Sequence, residues 1–380
     1  MQYIIVEMQR IQKQKILKDL DTKMVFIVGP RQAGKTWLAK DIAQDFNHPL
    51  YLNYDDSTHR KQIINRDWLE STDLLILDEL HKLDQWKNYL KGLYDTKSEN
   101  LKIIVTGSAR LDAFKQAGDS LAGRFFVHHL LPFSIAELHQ LQQFLDIDKL
   151  MLHSGFPEPY FAQSEIDAKR WRQEYINNLI TIDVLDFEKI TNLSAIRTML
   201  DLLRYRVGSP ISYKSIAEDV AISPVTVKKY IEVLEALYII FRVTPYSKNI
   251  ARSILKEPKI YFFDTGMVEG NNGSKFENLV AASLLKMCYA RNDYFAENKR
   301  LCYIRTKDKK EVDFALIQNN SIEKIIEAKY SDGDIDKNLY SFSEKYNLPA
   351  IQVVKNLKLQ RKSGEIEIVK AIDFLKKLYL

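Results

Sequence analysis

Gly29-Pro30-Arg31-Gln32-Ala33-Gly34-Lys35-Thr36 matches G-x-x-x-x-G-K-[ST] at every fixed position. It follows a compact apolar segment, Met24 to Val28, and precedes a helical pattern that sets Leu38, Ala39, Ile42 and Ala43 on one face. The spacing has a mechanical cause. Glycines let the main chain wrap so that its N–H groups face phosphates, and the following helix presents its positive N-terminal end. Lys35 then reaches the β- and γ-phosphates of a nucleotide, ATP being the one expected, and the Thr36 hydroxyl coordinates Mg2+. A chance turn between strand and helix is the competing reading, and the strand-to-helix setting argues against it.

Two acids complete the constellation. In Leu74-Leu75-Ile76-Leu77-Asp78-Glu79 an apolar strand delivers Asp78 to its carboxyl end, beside the metal. Glu79 is placed to orient or deprotonate an attacking water, where the bland alternative is an acidic surface turn. Thr106 or Ser108, at the end of the next apolar run, either senses the γ-phosphate or caps a helix. Arg124 is a candidate arginine finger, in cis or from a neighbouring subunit, though surface arginines are common.

A separate acidic group lies near the C-terminus: Glu277, Asp313, Glu327 and Lys329. Alternation along a strand puts Glu327 and Lys329 on one face, opposite Ala328. Asp313, on the neighbouring strand, can share that face, and Glu277 can approach from the preceding helix. Carboxylates converging on one point bind Mg2+, and an adjacent ammonium stabilises a pentavalent phosphate or lowers the pKa of a water. Taken alone the pattern is weak, because such pairs often form solvated faces.

The elements that must position these residues are legible from periodicity. Short apolar runs at Met24–Val28, Leu50–Asn53, Leu74–Leu77 and Ile103–Val105 alternate with helical patterns, predicting a parallel sheet of βαβ units. A helix is expected over the first twenty residues, and residues 140–205 read as helix-rich. Between Ile211 and Asp264 come two short helices, a tight turn and β-type segments. Ile216 to Tyr230 reads as helix–turn–helix, with Ser223-Pro224 opening the second helix and Phe241 to Thr244 as a wing. Lys228, Lys229 and Thr226 would then face DNA phosphates, but Glu232 and Glu235 would repel them, and an interdomain packing module is an equal alternative. After Gly266 follow a long helix, about 275–290, strands near Leu301, Val312, Lys324, Ile351 and Ile366, and a closing helix.

At 380 residues, 46% hydrophobic and 28% charged, the chain can fold as two or three globular domains. A net charge of +5 permits a polyanionic partner without demanding one. With only Cys288 and Cys302, a disulfide framework is not expected and a reducing compartment is. The N-terminus lacks a signal-peptide core, and no run approaches the roughly 20 apolar residues that span a bilayer. A cytoplasmic protein without a membrane partner is expected.

The motifs, taken together in their order, resemble a prokaryotic AAA+-class ATPase family. The resemblance covers nearly the whole chain. It rests on GPRQAGKT, LILDELHKLDQW, VTGSARL, LAGRF with LLPFSIAEL, SGFPEP, ISPVTVKKYIEVLEALYII, PYSKN, PKIYFFDTGM, FEN, YIRTKDKKEVDF and IEAKY. It implies an α/β fold class: a P-loop NTPase parallel-sheet core over residues 1–140, a helical and winged-helix module over 141–265, and an α/β domain similar to PD-(D/E)XK nucleases over 266–380. It also implies ATP and Mg2+ as cofactors, DNA as a candidate partner and a homo-oligomer as a candidate assembly. In the last domain Glu277, Asp313, Glu327 and Lys329 match the E…D…E-x-K signature, while such folds also persist as binding domains without cleavage. One departure stands out: Ile182 occupies the place of an arginine that similar chains carry after SGFPEP.

Overall fold

All five residues of β1 (Met24–Val28) are buried. Their side chains alternate between the two faces of a sheet. Met24, Phe26 and Val28 pack with Leu75, Leu77, Ile103 and Val105 beneath Trp86 and Leu90. Val25 and Ile27 pack on the other face with Ile76 and Ile104, against Ile16, Leu38 and Ile42. Burial on both faces is why the strand reads as an unbroken apolar run. Each such aliphatic side chain contributes roughly 1.5–3 kcal/mol on leaving water, which anchors the strands that carry the site.

The computed structural model describes residues 10–107, 121–184, 190, 192–247 and 256–380. Ser108, the rest of the VTGSARL segment after it, Lys248-Asn249 and the first nine residues of the expected N-terminal helix lie outside the described residues. Packing divides the chain into two units, with the boundary between Leu131 and Pro132.

The first unit runs α1 (Lys13–Leu20), β1, α2 (Lys35–Ala43), β2 (Pro49–Asn53), α3 (Ser57–Asn65), β3 (Leu74–Asp78), α4 (Trp86–Thr96), β4 (Lys102–Thr106) and β5 (Phe125–His129). Its sheet has the order β2-β3-β4-β1-β5, and every neighbouring pair is parallel. Parallel pairing brings the carboxyl ends to one edge. Thr106 of β4 is in register with Ile27 on one side and Asp78 on the other.

The second unit opens with helices α5 (Ile135–Gln140), α6 (Ile147–Leu152), α7 (Glu165–Asn178) and α8 (Leu193–Tyr205). The helix–turn–helix pattern forms α9 (Tyr213–Val220) and α10 (Pro224–Ala236), and the Ser223 side chain accepts the Thr226 N–H at the start of α10. Then come β6 (Ile240–Pro245), β7 (Lys259–Phe262), α11 (Asn272–Phe295), β8 (Lys299–Arg305), β9 (Glu311–Gln318), β10 (Ser321–Ser331), α12 (Lys337–Tyr346), β11 (Ala350–Asn356), β12 (Arg361–Ser363), β13 (Ile366–Lys370) and α13 (Ala371–Leu375). The strands make one mixed sheet, β12-β13-β11-β10-β9-β8-β6-β7. Phe241 to Thr244 is a strand of this sheet, paired antiparallel with β7 after the two helices, and residues 248–255 between the strands lie outside the described residues. Phe241 and Val243 are buried, and Thr244 pairs with Cys302 of β8. The sheet also runs across the boundary expected at 265, since β6 and β7 belong to it. Asn319 and Asn320, both with positive φ, turn β9 back into β10. That is the conformation a two-residue hairpin loop requires. Among the described residues no helix is long and apolar enough to cross a membrane.

Candidate functional site

The loop after β1 needs its glycine at Gly29, where φ is +142° and a β-carbon would stand 2.3 Å from the Leu130 carbonyl oxygen. Gln32 and Gly34 take left-handed conformations at φ 59° and 95°. Alternating handedness of this kind turns successive amides toward one side and makes an anion nest. Lys35, the first residue of α2, folds over its own loop and donates to the carbonyls of Gly29 at 3.0 Å and Pro30 at 2.6 Å. Arg10, 3% exposed, braces the loop from behind, donating to Ala33 O at 2.9 Å and Leu131 O at 2.7 Å.

Across the edge, Asp78 is buried at the tip of β3. Its Oδ2 accepts the Thr36 hydroxyl at 3.0 Å and the Tyr51 hydroxyl at 2.6 Å, and its Oδ1 accepts the Thr106 hydroxyl. Three hydroxyls from three different elements therefore aim one carboxylate. A hydroxyl and a carboxylate oxygen side by side are the hard donors that Mg2+ takes, so Thr36 and Asp78 fit that ion. Thr106, fully buried, spends its hydroxyl on Asp78.

Glu79 follows in a left-handed conformation, its N–H bonded to Thr106 O at 3.0 Å. Its Oε2 is buried without a hydrogen-bond partner, and His81 Nε2 and Lys82 Nζ stand off at 3.6 and 3.8 Å. Burial, and then the neighbouring Asp78 charge, raise its pKa above the ordinary glutamate value, while Lys35, Lys82 and Arg31 pull the other way. A carboxylate with an unused lone pair and raised proton affinity is suited to a water as its partner.

Arg124 is elsewhere. It precedes β5, and its carbonyl accepts the N–H of Met24, the first residue of β1. That is the amino edge of a parallel sheet, about 16 Å of strand away from the loop at a rise near 3.3 Å per residue. Its guanidinium is bidentate to Asp95, at 2.8 and 3.0 Å. The cis arginine-finger reading is corrected by this placement.

In the second unit the β9–β10 hairpin brings Asp313 beside Glu327. The Asp313 N–H donates to Glu327 Oε2 and the Ala328 N–H to Asp313 Oδ2, each at 3.2 Å. Lys329 Nζ lies 2.8 Å from Glu327 Oε1 and 3.0 Å from Asp336 Oδ2. Glu277, from α11, accepts the Tyr261 hydroxyl at 2.7 Å. Lys259 of β7 bridges the group, its Nζ at 2.8 Å from Glu311, 3.2 Å from Asp313 and 3.4 Å from Glu277. Burial opposes the Lys259 charge, yet the pull of Asp313, Glu277 and Glu311 outweighs it and raises its pKa. Burial, then Asp313, raises Glu277 and Glu327 well above the usual carboxylate range. Among the described residues no three carboxylate, imidazole or thiol side chains are spaced to hold a metal ion. Lys259 Nζ thus lies against the oxygens of Glu277 and Asp313, two of the three residues expected to hold Mg2+ there.

On α10, Lys228 and Lys229 are exposed, and Lys228 pairs with Glu232 at 3.8 Å. Glu235 turns away from that surface to bind Arg242, through its N–H at 3.1 Å and its Nε at 2.8 Å. Ile182, where the resemblance implies an arginine, is 49% exposed on the π-helical turn Leu179–Asp183.

Residues 21–139, which hold the loop, Asp78 and Glu79, match the family described as AAA domain. The N-terminal unit is of AAA type. Residues 145–273 and 272–374 match two domains of unknown function, DUF8612 and DUF4143. An uncharacterized protein of Mycobacterium tuberculosis, Rv2008c, is 25% identical over 252 residues, 64% of this chain and 55% of its own length. The chain thus spans little more than half of that relative. An uncharacterized protein of Methanocaldococcus jannaschii is 25% identical over 306 residues, covering 66% of this chain and 63% of its own. Among solved structures, the Walker-type ATPase PABY2304 of Pyrococcus abyssi superposes with a TM-score of 0.42 at 14% identity, over 68% of this chain and 93% of that one. The Aeropyrum pernix ORC1 protein, solved in complex with DNA, gives a TM-score of 0.34 at 11% identity, over 73% and 94%.

Three residues of these sites were not singled out from sequence. Tyr51 serves the AAA-type unit from β2, where alternation sets it on one face with Asn53, whose side chain donates to its hydroxyl at 3.4 Å. Burial, then the bond to Asp78, pushes the Tyr51 pKa up. Arg10 carries no motif. Lys259 had a readable signal: it is the one charged residue in the apolar run Lys259-Ile260-Tyr261-Phe262-Phe263.

Proposed function

We propose that this chain is an Mg2+-dependent ATPase of AAA class. The observation that carries the reading is the convergence of Thr36, Tyr51 and Thr106 on the Asp78 carboxylate, opposite the Lys35 loop. Lys35 leaves the Gly29 and Pro30 carbonyls for the β- and γ-phosphates, while the loop amides and the start of α2 receive their charge. Thr36 and Asp78 would hold Mg2+, which would neutralise charge on the nucleotide's phosphates. Glu79 takes a proton from, or orients, the attacking water through its unpartnered Oε2. Arg124 would meet a nucleotide only on a neighbouring copy of the chain.

The nucleotide state would be coupled to a partner held by the second unit, with DNA against the exposed Lys228–Lys229 face of α10 as the candidate. In the alternative reading the chain is an ATP-regulated switch or scaffold whose nuclease-like domain, residues 266–380, holds its partner without cutting it. The lack of a metal-spaced cluster among the described residues favours that reading of this domain. ATP turnover of wild type and Glu79→Gln, with and without DNA, tests the proposal. Hydrolysis is expected to be lost in the variant while a fluorescent ATP analogue still binds. Undiminished turnover in the variant removes Glu79 from the mechanism, and absence of turnover in wild type removes the ATPase.

A further inference from the structure

Lys259 is 1% exposed, yet it is a cation at the edge strand of an eight-stranded sheet. A buried ammonium persists only where its charge is matched. Three acidic side chains surround it, Glu311, Asp313 and Glu277, at 2.8, 3.2 and 3.4 Å. Those spacings are the ion-pair shell of an ammonium. Other donors also reach the cluster. Tyr261 donates to Glu277, the Ala328 N–H to Asp313, and Glu327 receives both the Asp313 N–H and Lys329. Behind Glu277 the chain is closed by Gly208, where a β-carbon would come within 2.6 Å of either carboxylate oxygen.

We infer that the Lys259 ammonium is the resident cation of the Glu277–Glu311–Asp313 cluster and stands where a nuclease-like reading would put a divalent metal. In consequence the native cluster takes up neither Mg2+ nor Mn2+. The proposal deepens the non-cleaving reading of the C-terminal domain and is independent of the ATPase reading. Removing the ammonium while keeping a long apolar side chain, as in Lys259→Met, leaves the carboxylates facing one another with uncompensated charge. A divalent ion is then the natural replacement.

The test is Mn2+ binding to the full chain without nucleotide, followed by electron paramagnetic resonance of the free ion and by calorimetry. Wild type and Asp313→Ala are expected to give the same binding isotherm. Lys259→Met is expected to gain one Mn2+ per chain that wild type lacks, and Lys259→Met with Asp313→Ala to lose it again. A wild-type Mn2+ site that Asp313→Ala abolishes overturns the inference, as does a folded Lys259→Met that gains no ion. Should Lys259→Met not fold, the comparison of wild type with Asp313→Ala decides alone: equal isotherms support the inference and a lost site overturns it. Failure of the ATPase reading would appear separately, as absent ATP turnover in wild type, and leaves the Mn2+ count untouched.

Discussion

Tyr51→Phe removes one hydroxyl and nothing else from the Asp78 site. The ring keeps its place under Lys40, whose Nζ lies 4.4 Å from the ring centroid. The lost bond, 2.6 Å from the phenol to Asp78 Oδ2, is of the charge-assisted kind. Such bonds contribute about 1.5–3 kcal/mol, a factor of roughly 10 to 100 in an equilibrium constant. Thr36 and Thr106 still hold Asp78, so the lower end of that range is expected: about tenfold weaker Mg2+ affinity, the size of effect that a residue behind a metal ligand usually has. The assay is binding of a fluorescent ATP analogue as Mg2+ is varied, with steady-state turnover alongside. The Mg2+ midpoint should move upward about tenfold, nucleotide affinity without Mg2+ should stay put, and turnover at saturating Mg2+ should return near wild type. An unmoved midpoint, or lost turnover that excess Mg2+ does not restore, would refute the claim that Tyr51 works through Asp78.

Two further outcomes follow from the same geometry. Gly29→Ala forces a β-carbon to within 2.3 Å of the Leu130 carbonyl in a left-handed conformation. The backbone strain alone costs about 1–3 kcal/mol, so thermal melting should fall by several degrees and nucleotide binding should fail, and an unchanged melt would contradict the loop conformation. Burial pushes Glu277 and Glu327 up to about 8 in the folded chain, against roughly 4.3 when unfolded. The folded state therefore binds the extra protons, and the stability they contribute is complete below the unfolded value and lost as pH rises through the folded one. Melting temperature should decline between about pH 5 and 9, Glu277→Gln should flatten that slope, and a melt that rises with pH would count against the burial argument.

The nucleotide site was legible because its chemistry is local: eight consecutive residues from Gly29 to Thr36 and two adjacent acids carry it. Strand positions were legible for the same reason, since two-sided burial leaves continuous apolar runs such as Met24–Val28. Tyr51, Arg10 and Lys259 act through register and through distance along the chain, which no window of sequence displays. Arg124 was assigned by a motif neighbourhood, and pairing with Met24 moved it to the far edge of the sheet. That Phe241 and Val243 would also join the larger sheet was not legible, because a wing strand and a core strand show the same apolar alternation.

The position of β4 between β1 and β3 has one more consequence. Each step across a sheet is about 4.8 Å, so the phosphate loop and the acidic tip are held about 10 Å apart at the main chain. This gauge is written in amide-to-carbonyl ladders, beyond the reach of side-chain replacement. Changing Thr106 alters what fills the gap, and only a shift of β4 itself would alter its width.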